Sequence, residues 1–273
     1  MKQITFELRL FAVIIQMSRL LFFLYILVHF SGCGSAMLSD ERLAKQSKRE
    51  FSKIKEKETI SSNSDYREMV QEIGERIAGV AQVDLPGTEW EFVVFDKQEP
   101  NAFAMPGGKV AINSGLIELT DGNEDEIAAV IGHEIAHVAF RHSNKRMSQA
   151  FGIALGGVIV DTAMRNKSSS DRIVAGGAYG IGTRIGMALP FSREQEKEAD
   201  HRGLYYSAMA GYDPRGAVSF WKKMLEKKKR KVPEFLSTHP NSGNRIKFLE
   251  SNMDHAYNLY LNAKKARGEK PNI

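Results

Sequence analysis

His133-Glu134-Ile135-Ala136-His137 is the stretch on which the reading of this 273-residue chain turns. On an α-helix, residues four apart lie one above the other on the same face, so both imidazoles can reach one metal ion at about 2.0–2.1 Å. Glu134 then sits beside the ion without ligating it, where its carboxylate can take a proton from a water acidified by the metal. The spacing predicts half of a zinc site and a catalytic base on a single helical turn.

Immediately upstream, Gly122-Asn123-Glu124-Asp125 is a polar, acidic helix start. Ile127, Ala128, Val130, Ile131, Ile135, Ala136, Val138 and Ala139 then carry an apolar helix through the motif. Both His therefore project from a largely buried element, and burying an ionisable His-Glu-His set is costly without a strong partner. A tetrahedral catalytic zinc needs a third protein ligand and keeps its fourth position for water. A metzincin-type continuation is excluded, because Phe140 and Ser143 stand where its Gly and third His would be, and His142 lies off the face of His137. Downstream, Ser192-Arg193-Glu194-Gln195-Glu196-Lys197-Glu198-Ala199-Asp200 places Glu196 and Asp200 on one helix face. Glu196 is the expected third ligand. Asp200 is suited to accept the other ring N–H of a ligating His, while Glu194 and Glu198 read as a solvated acidic surface.

Four separated motifs occur in order: Asn101-Ala102-Phe103-Ala104-Met105-Pro106-Gly107-Gly108, the His133–His137 run with Arg141-His142, the Ser192–Asp200 run, and Ser237-Thr238-His239-Pro240 with Arg245-Ile246. With them, residues from about 65 to about 250 resemble the zinc endopeptidases of the HtpX, BepA and Oma type, related to the prenyl-protein protease of yeast. The resemblance implies an α+β, mainly helical, gluzincin-like metallopeptidase domain with a small β-sheet beside the motif helix. It implies one Zn²⁺ per chain on His133, His137 and Glu196, with Glu134 as general base. It also puts His239 near the metal, either stabilising an oxyanion or filling the open position of a latent form. The residues after about 250 do not resemble the long tetratricopeptide-like extension that the larger periplasmic members carry, so functions that depend on that extension are not expected from the resemblance.

Trp90, Phe92, Val93, Val94 and Phe95 read as a strand, and Asn101 to Ala104 with Lys109 to Ile112 as extended pieces around a Pro106-Gly107-Gly108 turn. A strand edge near the metal would bind a substrate backbone through main-chain hydrogen bonds, making Asn101, Ala102, Phe103 and Ala104 the candidate substrate-binding residues. Phe103 reads equally well as core. His239 lies in a Thr-His-Pro-Asn stretch before a helix expected near Ser242, and its residues alone leave it open between a site histidine and an exposed loop histidine. Arg245 is similarly open between pairing with an acidic group of the site and lying on a helix surface.

At the amino terminus, Leu20 to Phe30 is an apolar run short for a bilayer span and suited to a signal-peptide core, with Met17 as an alternative start. It runs into Phe30-Ser31-Gly32-Cys33, which resembles a bacterial lipoprotein processing box with Cys33, the only cysteine, as the lipidated residue. The expected organisation is a signal peptide over residues 1–32, a polar tether or frayed helix over 33–64 and a metallopeptidase domain over 65–273. Gly34 instead of Asp favours the periplasmic face of the outer membrane. Residues 1–32 hold Lys2, Arg9 and Arg19 against Glu7, so the formal +5 of the chain becomes +3 from Cys33 onward. That modest balance, and a basic run at Lys222–Lys231 with little aromatic company, point away from nucleic acid. The Gly-rich stretch over 151–190 is broken by charges and reads as paired helices covering the site, not as a membrane hairpin.

Together these features predict an endopeptidase acting on unfolded or misassembled cell-envelope proteins, with outer-membrane assembly machinery as a candidate partner. The rival reading is a metal-stabilised periplasmic chaperone that binds unfolded chains on the same strand edge without cutting them.

Overall fold

The computed structural model describes residues 39–146, 191–228, 232–240 and 244–271. The expected signal peptide, Cys33 and the Gly-rich stretch lie outside these residues. In chain order the elements are α1 (Asp40–Lys57), α2 (Ser64–Ala81), β1 (Glu91–Phe95), β2 (Ala102–Met105), β3 (Lys109–Asn113), α3 (Ser114–Leu119), α4 (Glu124–Ala139), α5 (Arg193–Met209), α6 (Arg215–Lys228), α7 (Phe235–Thr238), α8 (Arg245–Ser251) and α9 (Met253–Arg267).

Within the segment expected to be a polar tether, residues 40–57 form the regular helix α1. Ser39 caps it, Asp40 and Glu41 stand in its first turn and Lys55 and Lys57 in its last, so both ends complement the helix dipole. Its buried residues, Leu43, Ser47 and Phe51, recur every four positions. That stripe, hidden in a highly charged composition, docks the helix by Phe51, which clusters with Phe95 and Ala111.

The sheet has three strands in the order β1-β3-β2. Gly107 and Gly108, at φ 84 and 80, make the turn that folds β2 back antiparallel on β3, as the Pro-Gly-Gly sequence predicts. The parallel pairing of β1 with β3, from Glu91 opposite Lys109 to Phe95 opposite Asn113, was not legible locally. It makes β3 the central strand, and all five of its residues are buried. The outer edge of β1 is partly covered by an isolated bridge between Ile60 and Phe95, while β2 is the edge strand on the side of α4.

The core sits around α4, on which every residue from Glu126 to Val138 is buried. A helix apolar on nearly all sides belongs inside a protein, and each fully buried Ile along it, such as Ile127, Ile131 and Ile135, contributes roughly 1.5–3 kcal/mol. Helix α5 packs against α4 through a glycine pair. A Cβ on Gly203 would stand 2.6 Å from the backbone nitrogen of His133, and one on Gly132 would stand 2.7 Å from the carbonyl oxygen of Gly203. The two backbones thus approach as closely as main chain allows, which brings the metal-motif face of α4 onto the acidic face of α5. No helix among the described residues is long and apolar enough to cross a membrane.

Candidate metal centre

Asn123 caps α4 by accepting a hydrogen bond from the Glu126 backbone at 3.1 Å, and three acidic residues follow in the first turn. The helix then carries His133 and His137 inward, their ring centroids 4.6 Å apart. Helix α5 starts with a capping box in which the Ser192 and Gln195 side chains exchange hydrogen bonds with each other's backbone. One turn further on, Glu196 and Asp200 are both buried against α4. His239 arrives from the end of α7. Its backbone N–H bonds the Phe235 carbonyl at 2.9 Å and its ring stacks on Phe235 at 4.5 Å. The exposed-loop reading of His239 is therefore overturned, since it is buried to 2% exposure.

These elements bring together one ligand atom each from His133, His137, Glu196 and His239, all within 4.8 Å of one another. His133 Nε2 lies 3.0 Å from His137 Nε2 and 3.3 Å from His239 Nδ1. Glu196 Oε1 is 3.4 Å from His137 Nε2 and 3.1 Å from His239 Nδ1. Imidazole nitrogens this close turn lone pairs toward one another, an arrangement that a shared proton or a shared cation relieves.

The charges point to the cation. Glu134, Glu196 and Asp200 are all at least 96% buried, and the buried cation among them is Arg245. Arg245 lies over the Trp221 ring at 3.9 Å, donates to Asp200 Oδ2 at 2.7 Å and also pairs with Glu196. With neutral histidines, the described residues set one fully buried guanidinium, and the part-buried Arg146 at the cleft, against three carboxylates, an excess of negative charge that a divalent ion would neutralise. His133 responds to the same excess. Burial drags the His133 imidazole down, yet Asp200 and Glu196 outweigh it and hold its pKa up at about 9. His137, which burial dominates, is held well below the ordinary histidine value. Burial also acts on Glu196, but the His239 charge and the hydrogen bonds from His133, His137 and His239 hold its carboxyl well below the usual carboxylate range. The donor set, two or three imidazole nitrogens and one carboxylate, suits zinc.

Glu134 stands beside this cluster. Its Oε2 accepts the Ala104 backbone N–H at 3.0 Å, so the outer edge of β2 faces the site. Its Oε1 is 3.2 Å from His239 Nε2 but not aligned for a hydrogen bond, and it is a buried oxygen with no hydrogen-bond partner among the described residues. Burial raises the Glu134 pKa, against the pull of the His239 and His133 charges, as a group that is to accept and return a proton requires. Asn101, Ala102, Phe103 and Ala104 line a cleft of about 370 Å³ together with Glu134 and His239.

The expected set of His133, Glu134, His137, Glu196 and Asp200 is thus assembled in one place, and Asp200 Oδ1 lies 3.2 Å from His133 Nδ1, where the ring N–H would be accepted. Arg245 resolves to the buried, paired alternative. One reading is extended and one changes. Glu198, read as part of a solvated surface, has a side chain 51% exposed, and its carboxylate also engages His142 at 2.9 Å. His142, read as off the face of His137, meets that ring at 2.8 Å. Phe191, which no sequence signal marked, stacks on His137 at 3.9 Å.

The model of peptidase family M48 matches residues 65–253. The chain is 34% identical over 203 residues to the mitochondrial metalloendopeptidase OMA1 of Schizosaccharomyces pombe, covering 68% of this chain and 58% of that protein. It is 31% identical over 186 residues to the beta-barrel assembly-enhancing protease of Escherichia coli K12, covering 65% of this chain and 37% of that one. Against the mitochondrial OMA1 of Bos taurus the identity is 33% over 178 residues, 61% of this chain and 34% of the relative. The matched part thus spans about a third to three fifths of these relatives.

Proposed function

Because the chain belongs to peptidase family M48, we propose that it is a zinc-dependent endopeptidase that cleaves unfolded or misassembled envelope proteins. The observation that carries the reading is the convergence of His133, His137, Glu196 and His239 beside a buried Glu134 whose Oε1 has no hydrogen-bond partner among the described residues. His133, His137 and Glu196 would hold the ion, one per chain. When bound there, zinc supplies Lewis-acid polarisation of a peptide carbonyl and acidification of a water.

The remaining chemistry belongs to the side chains. Ala104, whose backbone N–H fixes Glu134 Oε2, leaves Oε1 as the atom that takes the proton of the attacking water and returns it to the leaving amine nitrogen. Main-chain groups of Asn101 to Ala104 along the β2 edge hold the substrate backbone whatever its side chains are, which suits unfolded chains. His239 Nε2, beside Oε1, is placed to donate to negative charge that develops in the cleft. Asp200 and Arg245 keep His133 and Glu196 oriented and water out of the inner wall.

Envelope quality control, lipid attachment at Cys33 and a position on the periplasmic face of the outer membrane are parts of the same proposal. They rest on the sequence through Gly34 and on the name of the E. coli relative, a beta-barrel assembly-enhancing protease. Incorporation of labelled palmitate by wild type and not by Cys33→Ser tests the anchor.

The decisive experiment is casein digestion by wild type and Glu134→Gln, with a chelator control and elemental analysis of both. Glu134→Gln keeps its zinc and loses about 10²–10⁴-fold in kcat. Equal suppression of aggregation by both proteins, with cleavage by neither, would establish the chaperone reading instead.

A further inference from the structure

The two α4 histidines are supported from behind by different groups, and one support consists of residues to which the chemistry above gives no part. Helix α4 ends at Ala139, Phe140 caps it, and Arg141 adopts a left-handed φ of 56. That one residue turns the chain so that His142, which a continuing helix would carry away, comes back onto His137. The turn is clamped by Asp40 at the start of α1, which pairs with Arg141 at 2.6 Å and accepts from Asn144 at 2.7 Å. Phe140 stacks on the His142 ring at 5.6 Å, and the His142 side chain is fully buried, so water does not compete for its nitrogens.

We propose that His142 and Glu198 are positioning residues for His137, forming a chain of hydrogen bonds that fixes which nitrogen of His137 carries the proton. The inference rests on the zinc reading above. The order of donors follows from the ends. A carboxylate only accepts, so Glu198 Oε2, 2.9 Å from His142 Nε2, requires the proton on that nitrogen. Neutral His142 then offers a lone pair at Nδ1, 2.8 Å from His137 Nδ1, and the proton of His137 must sit on Nδ1 to meet it. His137 Nε2 is left bare, and that is the atom facing the donor cluster. The opposite tautomer would aim an N–H at His133 Nε2, 3.0 Å away, and spoil the site for a cation. His133 receives the same service directly from Asp200. For His137 the carboxylate acts through an intervening neutral ring and stands at the surface, with Glu198 51% exposed.

The test measures the apparent zinc dissociation constant by chelator competition, alongside the melting temperature of the metal-free proteins, for wild type, His142→Phe, His142→Asn and Glu198→Ala. Phe keeps the ring shape and removes the acceptor, so zinc binding weakens about 10–100-fold. Asn places its Oδ1 where the imidazole Nδ1 stands, so His142→Asn restores binding to within about threefold of wild type, and Glu198→Ala weakens it about 3–10-fold. Zinc binding by His142→Phe equal to wild type, with only a lower melting temperature, would mean a packing role and overturn the proposal. Equal losses in His142→Asn and His142→Phe would overturn it too, as would unchanged binding by Glu198→Ala, which stays informative if the buried variants do not fold. Failure of wild type itself to bind zinc would instead overturn the metal site on which the inference rests.

Discussion

His133 and His137 stand one turn apart on the same helix, yet the walls behind them differ in kind. Behind His133 is a dry, fully charged wall: Asp200 and Glu196 on α5, with Arg245 of α8 lying over Trp221. Behind His137 is a wall of rings, Phe191 and His142, that meets charge at its outer side, with Glu198 beyond His142 and Arg146 over Phe191 at 4.4 Å. The first imidazole is driven toward its proton and the second away from it. A site can thus be assembled from one ligand held by ion pairing and another held by neutral hydrogen bonding, and the two walls should fail differently.

The largest effect is expected from breaking the charged wall. Arg245→Met leaves Asp200 and Glu196 without their buried cation and lowers stability by about 3–5 kcal/mol in urea unfolding of the metal-free protein. Added zinc recovers part of that loss, because the ion supplies positive charge at the same place.

Next comes pH, which separates the two imidazoles by sign. His133 is raised above its unfolded value, so its contribution is fully present below about pH 6.5 and is lost as pH rises through about 9. The difference corresponds to about 3 kcal/mol between those limits in the metal-free protein. His137 is depressed, so its contribution is present above about pH 6.5 and fades as pH falls toward its folded value. Urea midpoints of the metal-free chain should therefore fall on both sides of neutrality. His133→Asn should flatten the alkaline limb alone, and an unchanged alkaline limb in that variant would erase the contrast between the walls.

Gly203→Ala pushes the walls apart together, since its Cβ meets main chain of α4 and not a side chain that could swing aside. A cost of about 1–3 kcal/mol follows, with weaker zinc binding. The smallest change is Glu198→Gln. A half-exposed amide still accepts from His142, so stability moves by about 0.5 kcal/mol or less. A drop as large as that for Arg245→Met would show that the two walls are not different in kind.

Much of this site is legible in the chain. The apolar run through His133–His137 announces a buried helix, Glu196 and Asp200 announce themselves by sharing a face, and Pro106-Gly107-Gly108 announces the β2–β3 turn. What is not legible depends on chain geometry at single residues or on distant pairing. His142 is misplaced by helical spacing because the helix stops at Ala139, and an arginine in left-handed conformation at 141 carries no sequence signal. The parallel union of β1 with β3 depends on contacts that no local pattern encodes. Helix α1 was obscured because Leu43, Ser47 and Phe51 are scattered among charges, although their spacing of four is regular. Arg245 could be narrowed to two alternatives, and only its burial against Trp221, Glu196 and Asp200 selects between them.

The meeting of Gly132 with Gly203 has a consequence for how this protein can vary. Elsewhere in the core an enlarged side chain can be accommodated by shrinking its neighbour, but here both partners are already bare backbone and nothing remains to trim. A saturation library at these two positions should therefore yield no rescuing pairs. The crossing point of the two helices is the part of the molecule least free to drift.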